Sequence, residues 1–80
     1  MPFSPEQLNE LNLLALFHSS SSQEGIKVHK HSADPATVAA AERLYQRGLV
    51  TQPDGGYLTS QGSEITEQVH KILSVLSSTA

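Results

Sequence analysis

With no cysteine in its 80 residues, the chain leaves metal binding to histidine and carboxylate, and nucleophilic catalysis to serine, threonine and lysine. His29 and His31 are the pair with chelate spacing. On extended backbone alternate residues share a face, so their imidazoles would converge on one ion. Asp34 is the nearest acid, and no nearby carboxylate pair completes the shell a zinc-like ion needs. No metal is expected. His18 and His70 lie on or beside helical apolar stripes, where packed or half-exposed imidazoles are the ordinary outcome. Serine, histidine and aspartate all occur, yet no serine sits in a nucleophile motif. Gly55-Gly56 and Gly62 lack the spacing of a phosphate-cradling loop. The expectation is a chain that is not an enzyme, with no cofactor and no small-molecule substrate.

Charge offers a second kind of chemistry, attraction to an anion. Net charge is -3 with histidine neutral. The two ends are acidic, and the middle is not. Between residues 25 and 47, Lys27, Lys30, Arg43 and Arg47 outnumber Asp34 and Glu42. A basic centre in an acidic chain can face a polyanion such as DNA, or it can be ordinary surface charge.

The elements that position these residues are well punctuated. Eighty residues suit one domain, and 38% hydrophobic with 16% charged residues suits a globular fold. No apolar run is long enough to cross a membrane, and the start resembles no signal peptide, so a cytoplasmic location is expected. A first helix is predicted over 4–18. Ser4 and Gln7 form a capping box, with Pro5 at the first helical position. Leu8, Leu11, Leu14 and Ala15 mark its apolar face, widened by Leu13, Leu16 and Phe17. Residues 23–31 are ambiguous. Ile26 and Val28 alternate with Lys27 and His29 as in a strand, whereas the surrounding pattern favours a helical turn.

The helix over 34–47 has Asp34 as cap, Pro35 as first residue and Ala39, Ala40 and Ala41 as strong helix formers. Gly48 supplies its left-handed end, and Val38, Ala41, Leu44 and Tyr45 form its expected core face. A hairpin follows over 49–59, turning at Pro53-Asp54-Gly55. A last helix over 60–76 carries Ile65, Val69, Ile72 and Leu76 at helical spacing. That stripe closes the core, pairs with a second copy, or does both.

The segment from Ala36 through Arg43-Leu44-Tyr45-Gln46-Arg47-Gly48-Leu49-Val50, followed by Asp54-Gly55-Gly56-Tyr57-Leu58-Thr59, resembles the recognition helix and wing of winged helix-turn-helix repressors of the multiple-antibiotic-resistance type. The whole chain also resembles a small bacterial family of uncharacterised proteins. The first resemblance implies a mainly α, winged helix-turn-helix-like fold with a small antiparallel β-hairpin. It also implies double-stranded DNA as partner, a role in transcription, and a homodimer. Lys27, Lys30, Arg43 and Arg47 would then contact phosphates, while Ile65, Val69, Ile72 and Leu76 would join two copies.

The residue types pull the other way. Ala36, Ala39 and Ala40 cannot make bidentate hydrogen bonds to base edges. The wing tip has no Lys or Arg, although phosphate contacts dominate DNA affinity. The alternative is a protein-interaction or dimerisation module on the same scaffold, without DNA binding.

Overall fold

The computed structural model describes residues 2–17 and 25–78. Helix α1 spans Pro5–Ala15, strand β1 Ile26–Lys27, helix α2 Pro35–Gln46, strand β2 Val50–Gln52, strand β3 Gly55–Leu58 and helix α3 Ser60–Leu76. The described chain is thus mainly helical, with a small antiparallel sheet.

Local chemistry sets the helix ends. The Ser4 hydroxyl accepts from Gln7 N at 3.1 Å, and Gln7 Oε1 accepts from Ser4 N at 2.9 Å. The capping box therefore satisfies two otherwise orphaned donors. The helix stops at Ala15, capped by Leu16, short of the expected end at 18. His18 and residues 19–24 lie outside the described residues. Asp34 caps α2 by accepting from Ala36 N at 2.9 Å. At the far end Gly48 N donates to Tyr45 O and Leu49 N to Leu44 O, both at 3.0 Å. These are the paired bonds of a Schellman ending, and Gly48 takes the left-handed φ of 75° it requires.

The sheet corrects the expected two-stranded hairpin. β1 joins it as a third strand, in the order β1-β3-β2. Ile26 pairs with Gly56 and Lys27 with Gly55; Val50 pairs with Leu58 and Gln52 with Gly55, with a register shift between. Gly55 and Gly56 both have positive φ at this bulge. The ambiguous stretch resolves both ways where it is described. Residues 26–27 are strand, and the chain then turns once, with Ser32 N and Ala33 N both donating to His29 O.

The core holds Leu13, Leu14 and Phe17 from α1 and its end, Val28, then Ala40, Ala41 and Leu44 of α2, with Val50 and Val69. Ala41 and Leu44 occupy the core as expected and Val38 is partly buried, but Tyr45 is 44% exposed. Tyr45 lies one residue past Leu44, so the turn of the helix carries it towards water. Leu8, expected on the apolar face of α1, and Leu16, expected to widen it, are also exposed.

Candidate interaction surface

The four expected phosphate-binding cations do not form one strip. Arg43 and Arg47 project from the last turn of α2 onto a single carboxylate of α1. Arg43 Nε lies 3.3 Å from Glu10 Oε2, and Arg47 Nε lies 3.5 Å from Glu10 Oε1. Arg43 Nη2 also donates to Glu6 O at 3.2 Å. Glu10 is only 6% exposed, so its charge is held where it needs both partners. Lys27, on β1, pairs with Asp54 in the β2–β3 turn at 3.8 Å. Lys30 is exposed, and among the described residues it forms no ion pair.

Two separate depressions hold three of these four cations. Lys27 and Lys30 line a broad hollow of about 570 Å³ over Val28, Val38 and Ala41, with Glu42 and Asp54 also on its wall. Arg47 lines a cleft of about 180 Å³ with Phe3, Gln7, Glu10 and Leu11. The cationic surface is therefore divided between two places: Lys27 meets Asp54 at one, and Arg43 and Arg47 share the single carboxylate of Glu10 at the other.

His29 opens the single turn before α2, so His29 and His31 do not alternate along a strand. Among the described residues no cluster of three or more His, Asp or Glu side chains could hold a metal ion. His70 has a packing role, with Nε2 at 3.1 Å from Ala15 O, tying α3 to the end of α1.

The α3 stripe divides along its length. Val69 is buried against α1, whereas Ile65 is 40%, Ile72 56% and Leu76 78% exposed. Leu73 and Val75 are exposed as well. The stripe therefore closes the core at Val69 and turns apolar atoms to water on either side of it. Between α1 and α3 runs an apolar groove of about 280 Å³, lined by Phe3, Leu8, Leu11, Val69, Ile72, Leu73 and Leu76 among others. Phe3 and Leu11 also line the Arg47 cleft, so groove and cleft are contiguous.

Glu10 is the site residue that composition and charge counting pass over. Its signal is positional: it stands three and four residues before Leu13 and Leu14, on the buried face of α1. A carboxylate there demands cations from elsewhere, and α2 supplies them.

Along residues 1–77 the chain matches the model of DUF5669, a family of unknown function. No curated protein and no solved structure matches it.

Proposed function

The chain belongs to that family, and from its geometry we propose that it is a self-associating protein-interaction module whose working surface is the apolar groove between α1 and α3. The observation that carries this reading is the unpartnered apolar face at the outer end of α3. Phe3, Leu8, Ile65, Ile72, Leu73, Val75 and Leu76 are all at least 40% exposed. Five of them, Phe3, Leu8, Ile72, Leu73 and Leu76, line the groove itself; on ordinary residue areas these five expose roughly 550 Å², and twice that area clears the roughly 1,000 Å² that a stable dimer interface needs. Scattered apolar residues are normal on a surface, but a contiguous patch of this size marks a contact site.

The occupant is a second copy of the chain. The same surface carries both the hollow, between the helices, and the ridge that would fill it, Ile72, Val75 and Leu76. A two-fold axis brings ridge to hollow twice, as isologous dimers require. An eighty-residue chain also has a small core, and burial in a dimer adds to it.

Helix α2 ahead of the hairpin, with β1 on the outer edge of the sheet, supports a winged-helix scaffold for this module. In that comparison the first helix of the helix-turn-helix is reduced to the single turn at residues 29–33. The same arrangement favours a second reading, DNA binding through the start of α2, with Lys30, unpaired among the described residues, as its cation. The pairing of Arg43 and Arg47 with Glu10, and of Lys27 with Asp54, makes it the weaker one.

Sedimentation equilibrium of the wild type and of Leu73→Glu and Leu76→Glu tests the proposal. A dimer that the two substitutions dissolve, with circular dichroism unchanged, is the expected outcome. A wild type that stays monomeric at every concentration ends the proposal.

A further inference from the structure

Resting on that self-association, we propose that the two copies dock with their α3 helices antiparallel, and that Arg47 of each copy selects this orientation by pairing with Glu64 of the other.

The placement follows from which residues share a wall. His70 reaches Ala15 at the end of α1, while Leu76 and Phe3 line one groove. Thus α3 runs antiparallel to α1, and its C-terminal end lies beside the start of α1. Phe3 and Leu11 line the Arg47 cleft too, so these two side chains are the wall between Arg47 and the groove that Leu76 lines. An α3 from a second copy laid antiparallel in the groove brings its own N-terminal turns to that end. At about 3.6 residues per turn Glu64 lies roughly 80° around the helix from Ile72 and about 20° from Val75, on the flank of the apolar stripe away from Leu73.

The charges fit only this direction. Glu64 is exposed and takes part in none of the ion pairs among the described residues, unlike Glu67, which holds Lys71 at 3.8 Å. Arg43 and Arg47 share one carboxylate, so one positive charge is left over at the cleft. Glu10 engages Arg47 through Nε, and the side chain is 59% exposed. The guanidinium is therefore oriented from behind while still open to a second carboxylate. In a parallel pairing the second copy would offer the end of its α3 at this point, where the last turn carries no charged side chain.

A charge-reversal pair tests the inference on full chains. One variant is Glu64→Arg. The other is Arg47→Glu combined with Glu10→Gln, so that no carboxylate repels the new one from behind. In the homodimer of either variant both cross-copy contacts become repulsive. In the mixed dimer both are attractive. Each variant alone should associate roughly ten-fold more weakly than wild type, and an equimolar mixture should recover most of that loss. Native mass spectrometry of the mixture should show mainly the heterodimer. Circular dichroism checks that each variant folds; should the Arg47 variant unfold, Arg47→Gln with Glu10 retained replaces it, and must still weaken association. A statistical mixture of dimers, or variants that associate like wild type, overturns the Arg47–Glu64 pairing while leaving self-association through Leu73 and Leu76 intact. A wild type that never dimerises overturns both.

Discussion

Gly62 offers the sharpest mechanical test of how the hairpin and α3 are joined. A Cβ built there would lie 1.9 Å from Leu49 O and 2.8 Å from its carbonyl carbon. Ordinary carbon–oxygen approach is about 3.3–3.6 Å, so something must retreat by roughly 1.5 Å. Neither side is free to do so. Leu49 is held by its own N–H on Leu44 O at 3.0 Å, and its carbonyl accepts from Thr59 N at 3.1 Å. The start of α3 is held by Thr59, whose hydroxyl donates to Gly48 O at 2.6 Å and accepts from Gly62 N at 3.0 Å. Gly62→Ala must therefore loosen the cap as well as the packing.

Overpacking costs about 1–3 kcal/mol and a lost cap about 1 kcal/mol, against a gain of about 1 kcal/mol from alanine's helix propensity. The net expectation is a loss of about 1–3 kcal/mol. A domain of this size has about 4–12 kcal/mol in total, so the melting temperature should fall by roughly 5–20 °C. Urea titration followed by circular dichroism measures it. Gly48→Ala is the control: nothing lies within 4 Å of its added Cβ, and only its φ of 75° is unfavourable. It should cost about 1–2 kcal/mol, from the left-handed conformation alone. An alanine at 62 that leaves stability unchanged, or raises it, would refute the close-approach argument.

Thr66 is fully buried with no hydrogen-bond partner for its hydroxyl among the described residues. Thr66→Val keeps its shape and removes the orphaned group, and should raise stability by about 1 kcal/mol in thermal unfolding. Glu10→Ala strands Arg43 and Arg47; because both reach solvent, the expected loss is about 1–2 kcal/mol, well below that of a fully buried pair, by urea titration. If duplex DNA binds at all, the free-cation count predicts a log–log salt slope no steeper than about -2, and Lys30→Ala should flatten it by about 1 in fluorescence anisotropy. A slope near -4 would mean that Arg43 and Arg47 leave Glu10 to reach phosphate.

The residues decided the helices before any folding was considered. Ser4 with Gln7, Asp34 with Pro35, and Gly48 act over three or four positions, and each forms the bond its type implies. Local signals of this kind need no partner from afar, and the positions of α2, the hairpin and α3 follow from them. Strand β1 was not legible in the same way. Two residues carry too little periodicity to be read alone, and they become a strand only because Gly55 and Gly56 come to lie beside them.

The use of the charges was decided by tertiary structure entirely. Arg43 and Arg47 are spaced along α2 as surface cations, and nothing within α2 requires a buried carboxylate opposite them. Packing α1 against α2 places Glu10 between the two guanidinia, and part of the charge that could meet a polyanion is engaged inside the fold. The α3 stripe shows the same division. Its spacing is a property of the sequence alone. Which part is core and which part faces water depends on what packs over it: Val69 is covered, whereas Ile72, Leu73 and Leu76 border an open groove beside α1. An apolar residue is buried by what packs on it, and that partner comes from a distant part of the chain.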